Sequence, residues 1–585
     1  MYKKLLVLIA LLAALSLLLT ACGTPVAPTV PATEAPAATQ APTKEMPAAT
    51  EPPTAQPPTE APVVSDRPLI IPMGADVDTM FPDYSSTALG ASLAALVYSS
   101  LTTVDLHGNV APDLAASWEV SEDHLTWTFH LVENAVWQDG KPVTAEDVQF
   151  TYEKIADPTY NGGMYTNITS IAGVTEKQEG KATTVSGIKV VDEHTISFTT
   201  TEPDALVMDT FASPNIVVVP VHILGSIPVA DLGKSDYARM PIGSGPYQLV
   251  DWKAEESMTF ERNDAYYGTL PIIRQIKMPI IPEPSARVTA LLNNEVDILG
   301  SVSADDYESV KSATGVTIKG FPGSEYQNFN LNLADPMFKD VRVRQAMNYA
   351  INRQSMLDGL CGGRGIVENN IFHPSLAEYN PNIASYDYNV EKAKQLLSDA
   401  GWTDKDGDGI LEAQGVQGVA DGTKFNTTLD TTTTPFYVQE NQVIQQDLKA
   451  VGIESTINQV EFGAFFGDIW LPGPTWHASG LGWYNLIGTP QMELGWNFMC
   501  PADKNTYGYC NADLDVLINK NKTLFDKTER INNFYAVQDI IHEAAVVTPL
   551  IRCNATVAYN QALQVSDFQT GIDLWRTIPQ WSWTK

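Results

Sequence analysis

The sequence of 585 residues lacks the short motifs that identify several classes of enzyme and metalloprotein. No CxxC or HExxH segment supplies zinc-ligand spacing, and no GxxxxGK or GxGxxG segment forms a phosphate-binding loop. No GxSxG segment marks a hydrolase nucleophile. The 8 histidines are scattered, which argues against a nickel site. A catalytic triad assembled in space is not excluded by these absences, but no motif favours an enzyme.

Basic side chains are scarce. The chain has 36 Lys and Arg against 69 Asp and Glu, and its formal net charge is −33 at pH 7. Such an acidic chain repels phosphate backbones, which argues against nucleic acid as a partner. The hydrophobic share of 44% indicates that most of the chain folds, and its length exceeds one ordinary core. We therefore expect a protein of several lobes.

The N-terminus carries the pattern of an exported protein. Residues 1–21 contain two early lysines, an apolar run and small residues before Cys22, which predicts a signal peptide. Leu19-Thr20-Ala21-Cys22 resembles a bacterial lipobox, which implies that Cys22 becomes the mature N-terminus and carries acyl chains such as palmitate. Two acyl chains on one residue suffice for stable anchoring. The alternative is an ordinary signal peptide with a chance cysteine.

Residues 22–66 consist almost entirely of Pro, Thr, Ala, Glu and Val. With hardly any large apolar side chain, this segment cannot bury enough surface to offset its ordering entropy. We expect a disordered stalk between the anchor and the folded part. Since no later stretch has the apolar length of a membrane span, the remainder is expected outside the cytoplasmic membrane, at the cell surface or on the periplasmic face.

Four cysteines follow Cys22. Export makes disulfides possible. Cys500 and Cys510 bracket a loop-like segment and form the best candidate pair. Cys361 and Cys553 can pair or remain free, because sequence alone does not determine connectivity.

Strand and helix patterns alternate without a strict repeat. Residues 125–131 alternate apolar and polar side chains, and residues 215–219 carry an apolar run after Asn215, so both predict strands. Thr144 with Asp147 predicts a capped helix. A further helix is predicted behind Asp340, with Gly359 as its end. The mixture indicates an α/β or α+β class.

The tryptophans crowd into one region. Of the 12 tryptophans, Trp470, Trp476, Trp483 and Trp496 fall close together. Aromatic side chains beside glycines suit the lining of a concave site, although core packing explains any single one of them equally well. Within this region Trp483 and Tyr484 could stack on a ligand, and Asn485 could hydrogen-bond it.

An acidic loop imitates the start of a calcium-binding loop. Asp404, Asp406 and Asp408 alternate with other residues before a glycine, and Glu412 stands where a later ligand could bind. Gly415 occupies the twelfth position, so the bidentate glutamate of the complete motif is missing. A structural calcium ion is a hypothesis here, and a plain hairpin turn is the alternative. No cofactor is otherwise required.

Four long blocks, in order, resemble the family 5 extracellular solute-binding proteins, which are the peptide-, oligopeptide- and nickel-binding components of ABC importers. The first begins NVAPDLAASWEVSEDHLTWTFHL and occupies residues 109–155. The others occupy residues 243–268, 338–357 and 400–412. Several long blocks in order are far more specific than one short motif.

The resemblance implies a fold as well as a family. It implies an α/β protein of the type II periplasmic-binding-protein class, with two lobes around a cleft and an additional lobe inserted in the first. Carried onto this sequence, lobe I combines residues 67–105, 240–320 and 550–585, the inserted lobe is 106–239, and lobe II is 321–549.

The resemblance also implies ligand contacts. Tyr326 and Asn328 match a strand at the edge of the family's cleft, and Tyr98 matches another cleft block. In peptide-binding relatives an aspartate after the Gly-Trp segment accepts the ligand's α-ammonium group, but this sequence has Leu486 there. Leucine offers packing only, so another acid such as Glu493 would have to replace the missing carboxylate.

The expected function is a lipid-anchored, monomeric binding protein that closes on a solute and delivers it to ABC permease subunits. An oligopeptide is the favoured ligand class. An oligosaccharide is the second, because of the aromatic side chains and Leu486. Nickel is less favoured. A secreted hydrolase and a surface adhesin are the rival classes, and we expect no enzyme.

Overall fold

The structure is a computed structural model that describes residues 66–85, 87–105, 108–461, 464–465, 477–484, 490–501, 505–568 and 571–584. The predicted signal peptide, Cys22 and nearly all of the predicted stalk lie outside these residues. Within them, no helix combines the length and hydrophobicity needed to cross a bilayer.

The strands, in chain order, are β1 (Leu69–Ile70), β2 (Thr102–Val104), β3 (Val110–Pro112), β4 (Ala115–Val120), β5 (Thr126–Leu131), β6 (Ile188–Asp192), β7 (Thr195–Thr199), β8 (Tyr247–Lys253), β9 (Ser257–Arg262), β10 (Gln275–Pro279), β11 (Ile298–Leu299), β12 (Val316–Pro322), β13 (Glu325–Leu331), β14 (Gly365–Val367), β15 (Trp402–Thr403), β16 (Glu412–Ala413), β17 (Asn426–Thr432), β18 (Glu454–Val460), β19 (Ala478–Tyr484), β20 (Val547–Pro549), β21 (Ile551–Asn560), β22 (Leu563–Gln564) and β23 (Ser582–Trp583).

The α-helices are α1 (Ala88–Val97), α2 (Ala145–Ile155), α3 (Val174–Gln178), α4 (Val207–Phe211), α5 (Val221–Leu224), α6 (Asp236–Arg239), α7 (Pro284–Leu292), α8 (Tyr307–Lys311), α9 (Val341–Ala350), α10 (Arg353–Cys361), α11 (Val390–Asp399), α12 (Pro435–Ala450), α13 (Pro490–Phe498), α14 (Ala512–Lys520), α15 (Lys527–Glu543) and α16 (Gly571–Thr577). Helices and strands alternate in a mixed α/β arrangement, as the sequence predicts.

Three large hydrophobic cores each form around a sheet. The first core runs from Leu69 to Trp581 with long interruptions and surrounds the sheet β1-β10-β9-β8. The second core lies between Leu101 and Val218 and surrounds β4-β5-β7-β6. The third core lies between Tyr326 and Ile551 and surrounds the five-stranded sheet β18-β17-β19-β13-β20. The residue-level lobe boundaries stay a prediction.

Several local predictions are confirmed. The strand predicted at 125–131 is β5, and the helix predicted behind Thr144 is α2. The Asp147 carboxylate accepts a hydrogen bond from the Thr144 backbone N–H at 2.9 Å, as a capping box requires.

Two local predictions are wrong. Residues 215–219 form no strand: Val217 makes an isolated bridge with Ser100, and the Val219 N–H donates to the Thr151 hydroxyl at 3.0 Å instead of to a strand ladder. The helix behind Asp340 does not end at Gly359. It breaks at Asn352, whose side chain caps a second helix, and that helix continues to Cys361 before Gly362 in a left-handed conformation.

The chain passes twice, at adjacent positions, between the third-core sheet and the sheet β11-β21-β12. In the first crossing, Gly323 and Ser324 join β12 to β13; in the second, Leu550 joins β20 to β21. β12 pairs with β21 on one side, and β13 pairs with β20 on the other. Two such short, neighbouring connections are what a two-lobe fold with a hinge requires.

Arg552 ties the two crossings together. This side chain is fully buried at the start of β21, and its Nε donates to Glu368 Oε2 at 2.8 Å. Its Nη1 donates to the Gly323 carbonyl, also at 2.8 Å, so a residue beside the second crossing holds the backbone of the first.

The described residues contain two disulfide bonds, the one that the sequence predicts and one between the two cysteines whose pairing it leaves open. Cys500 is disulfide-bonded to Cys510, which confirms that prediction. Cys361, at the end of α10, is bonded to Cys553 on β21. The second bond therefore fastens a third-core helix to the strand that follows the second crossing.

Arg552→Met is expected to destabilise the protein by about 3–5 kcal/mol, because it leaves the Glu368 carboxylate buried without its counter-charge. Differential scanning calorimetry would show this as a lower Tm. The double variant Arg552→Met/Glu368→Leu should recover much of the loss. Arg342→Met serves as the control and should leave the Tm almost unchanged, because Arg342 is exposed and its ion pair with Asp340 lies at the surface. An unchanged Tm for Arg552→Met would contradict this role.

Candidate functional site

The described part of the aromatic segment lies directly beside the first crossing. In the pairing of β13 with β19, Tyr326 is opposite Trp483 and Glu325 is opposite Tyr484. The structure thus brings Trp483, Tyr484, Tyr326 and Asn328 onto two neighbouring strands. Asn485 lies outside the described residues, as does Leu486.

Two glycines of β19 allow this strand to lie close to α12. A Cβ added to Gly480 would lie 2.7 Å from Ile444 Cδ1 and 3.0 Å from the Asn441 side chain. A Cβ added to Gly482 would lie 1.7 Å from Glu325 Oε1, closer than any real contact. Gly480 therefore packs against α12, and Gly482 packs against the Glu325 side chain of β13.

Tyr326 and Asn328 are buried in this structure, with exposures of 3% and 1%. The Tyr326 ring lies 5.2 Å from the Arg552 guanidinium carbon, a cation–π distance. Tyr326 therefore packs on the residue that ties the crossings, and its predicted contact with ligand stays a prediction, as does that of Asn328.

Tyr98 belongs to a different part of the fold. It is 3% exposed within the first core, and its ring centroid lies 6.3 Å from that of Tyr237. It also borders a cavity of about 440 Å³ whose lining includes Ser99, Ser100, Asp113, Tyr266 and Arg576. The structure does not place Tyr98 on the strands that carry the other predicted contacts, and its ligand role stays a prediction.

Asp113 is the distinctive group of that cavity. Its carboxylate accepts hydrogen bonds from the Ser100 backbone N–H at 2.8 Å and from the Tyr267 hydroxyl. Burial raises its pKa to about 6, against the lowering effect of these two hydrogen bonds. The carboxylate is therefore already held by the protein.

Two acidic residues, one on β13 and one on α12, were not predicted from the sequence. Glu325 begins β13, and its Oε1 accepts hydrogen bonds from the Tyr437 hydroxyl at 2.6 Å and from Gln327 Nε2 at 3.1 Å. Glu440, on α12, is fully buried. The sequence did carry a signal for Glu440. This residue lies one helical turn from both Tyr437 and Ile444, which places it on the apolar face of α12.

The environment of Glu440 is unusual. Among the described residues, neither of its carboxylate oxygens has a hydrogen-bond partner. Burial raises the pKa of Glu440 well above its ordinary range, and the negative charge of Glu325 raises it further. The site beside the crossing therefore holds acceptor oxygens that the described part of the chain does not satisfy.

The acidic loop brings its predicted ligands together. Each of Asp404, Asp406, Asp408 and Glu412 offers one carboxylate oxygen, and these oxygens lie within 4.8 Å of one another. An all-carboxylate set of this kind fits a hard cation such as calcium. The Lys424 ammonium also contacts Asp406 at 3.3 Å and Asp408 more closely, so the protein itself places one positive charge there.

Comparisons with known proteins agree with this architecture. The chain is 28% identical to the oligopeptide-binding protein AppA of Bacillus subtilis (strain 168) over 516 residues, which cover 85% of this chain and 88% of that protein. It is 28% identical to the dipeptide-binding protein of Escherichia coli (strain K12) over 467 residues, or 77% and 81% of the two chains.

Among solved structures, AppA from Bacillus subtilis in complex with a nonapeptide superposes with a TM-score of 0.68 at 26% identity, covering 89% of this chain and 99% of that one. The predicted two-lobe periplasmic-binding-protein fold is thereby confirmed. The sequence profile of the bacterial extracellular solute-binding proteins, family 5 (middle region), matches residues 109–505. The chain therefore belongs to family 5 of the bacterial extracellular solute-binding proteins.

Proposed function

We propose that this protein is the extracytoplasmic solute-binding component of an ABC importer, which captures an oligopeptide between its lobes and presents it to the permease. The observation that carries this proposal is the family match over residues 109–505, together with the two adjacent crossings that a hinge requires. Closure about these crossings would bury a solute held beside β13 and β19.

A peptide is the favoured solute class because two relatives that match most of the chain are named for oligopeptides and dipeptides. Leu486 is the feature that favours an alternative, since it cannot accept the hydrogen bonds of an α-ammonium group. An oligosaccharide stacked on aromatic side chains is therefore the second candidate.

Binding without catalysis is the expected activity. A secreted hydrolase would convert the solute, and a surface adhesin would neither enclose a small solute nor become more compact with it. Stoichiometric binding of an unchanged solute separates the three classes.

We further propose that Cys22 carries acyl chains that hold the protein, as a monomer, on the outer face of the cytoplasmic membrane. The support is the lipobox-like sequence Leu19-Thr20-Ala21-Cys22 and the Pro- and Thr-rich stalk that follows it. An anchored binding protein stays close to its permease, which raises the local concentration of loaded protein there.

A structural calcium ion in the acidic loop is a separate proposal. Asp404, Asp406, Asp408 and Glu412 would supply oxygen ligands, and the Lys424 ammonium would have to move away from Asp406 and Asp408. No step of solute capture depends on this ion.

The function is tested by isothermal calorimetry of the purified protein with a panel of peptides of two to nine residues and a panel of oligosaccharides. We expect one peptide per chain, recovered unchanged by mass spectrometry. Trp483→Ala should weaken that binding about tenfold or more, because large aromatic side chains dominate the binding energy of enclosed sites.

Trp118→Ala, on β4 of the second core, is the matched control and should leave peptide affinity unchanged. Circular dichroism of both variants checks folding. Recovery of a cleaved solute would contradict the proposed function, and undiminished affinity of Trp483→Ala would contradict the role of that residue.

Cys22→Ser is expected to move the protein from the membrane fraction to the supernatant after ultracentrifugation, because the acyl chains are its anchor. Persistence of the variant in the membrane fraction, with intact stalk sequence confirmed by mass spectrometry, would show that another feature anchors it.

Calcium at about 10 mM is expected to stabilise the wild type by about 1.4 kcal/mol or more, if the site binds with the submillimolar to millimolar affinity of extracellular calcium sites. Asp408→Asn should abolish the rise in Tm, whereas Asp305→Asn in another exposed loop should not. Equal Tm values with calcium and with a chelator would contradict the proposal.

A further inference from the structure

A group of acceptor oxygens lies where the start of β13 faces α12. Tyr437 Oη and Gln327 Nε2 both donate to the same oxygen, Glu325 Oε1. No described donor reaches Gln327 Oε1 or either oxygen of Glu440. Gln327 and Glu440 are 4% and 0% exposed, so water at the surface does not satisfy them.

Other buried carboxylates of this chain are treated differently. Asp147, on α2, receives the backbone N–H groups of Thr144 at 2.9 Å and Val221 at 2.8 Å, and Glu368 receives the Arg552 guanidinium. A buried acceptor without a donor costs about 1–3 kcal/mol, and more when it is charged. Glu440, with two such oxygens, thus differs from both of these carboxylates.

These acceptors adjoin the segment proposed to bind solute. Glu325 is opposite Tyr484 in the β13–β19 pairing, and its carboxylate occupies the space that a Cβ on Gly482 would need. The glycine therefore lets the Glu325 carboxylate lie against β19. Gln327 shares this location, because its amide nitrogen is bonded to Glu325.

We propose that Glu325, Gln327 and Glu440 form a subsite for a cationic group of the solute, an alkylammonium or a guanidinium. This inference rests on the proposed function and narrows its solute class to cationic peptides. An ammonium carries three donors, which equals the number of unpartnered acceptors, Gln327 Oε1 and the two oxygens of Glu440.

A proton alone satisfies the site less well. Protonation of Glu440 would remove its charge and add one donor, but one donor cannot satisfy all of the unpartnered oxygens of Glu440 and Gln327. The raised pKa of Glu440 in the absence of solute is consistent with a carboxyl that a bound cation would ionise. The subsite would also supply the carboxylate that Leu486 does not.

The test compares wild type with Glu440→Gln, which keeps the shape and removes the charge, and with Glu325→Gln as a second variant should the first fail to fold. Glu454→Gln, exposed at the start of β18, is the control for the charge change. Calorimetry is carried out with Ala-Lys-Ala, Ala-Arg-Ala, Ala-Ala-Ala and Ala-Glu-Ala, each also N-acetylated to remove the α-ammonium group.

We expect wild type to bind at least one cationic form about tenfold or more tightly than its neutral counterpart, as charge-assisted hydrogen bonds to a buried carboxylate imply. Glu440→Gln or Glu325→Gln should abolish this preference, while Glu454→Gln should retain it. The acetylated forms show whether a side chain or the α-ammonium group occupies the subsite.

Thermal shifts with putrescine and with free arginine separate this inference from the proposed function. If no peptide binds but either amine raises the Tm of wild type and not of Glu440→Gln, peptide capture fails and the cationic subsite stands. If peptides bind with affinities independent of their charge, the function stands and the subsite is overturned. A Tm that rises in Glu440→Gln, with no response of wild type to any cationic probe, would also overturn it and identify a buried protonated acid.

Discussion

The fold depends on the buried Arg552 side chain. Arg552 lies beside the second crossing in the chain and donates a hydrogen bond to the backbone of the first. Its guanidinium pairs with Glu368 and donates to the Gly323 carbonyl, while the Tyr326 ring lies over it. An ion pair with no exposure is costly to form unless its hydrogen bonds are complete. Because the partners of Arg552 lie in different segments, the two crossings are held in one geometry, and the strands that leave them, β13 and β21, start from fixed positions.

That geometry positions the residues of the proposed solute site. β13 leaves the first crossing and pairs at once with the end of β19, so Glu325 and Tyr326 are opposite Tyr484 and Trp483. Gly480 packs against α12, and Gly482 packs against Glu325, whose negative charge acts on Glu440. The disulfide Cys361–Cys553 fastens α10 to β21, the strand that follows the second crossing. The residues that fix the crossings are therefore neighbours of those proposed to recognise the solute.

Sequence patterns predicted elements whose signals are local. The capping box at Thr144 and the alternation at 125–131 each depend on a few consecutive residues, and both are present. The apolar stretch 215–219 was mistaken for a strand because apolar content reports burial and not pairing. The break at Asn352 was missed because its side chain caps the next helix, which helical spacing alone does not show.

The site was predicted only in part. The Gly-Trp segment could be located through the family resemblance, but the pairing that sets Glu325 against Tyr484 joins residues far apart in the chain. Glu440 lies on α12, and its burial depends on the packing of that helix against the sheet. Likewise the pairing of Cys361 with Cys553 has a sequence separation of 192 residues, whereas Cys500 and Cys510 could be paired from their proximity.

The most direct test of solute capture is native mass spectrometry of the protein purified without denaturation. We expect a population with one additional mass per chain that matches an unmodified peptide and is released on unfolding. Preparations that never carry such a mass, and that also fail to bind any member of the peptide panel, would contradict a peptide-capturing function.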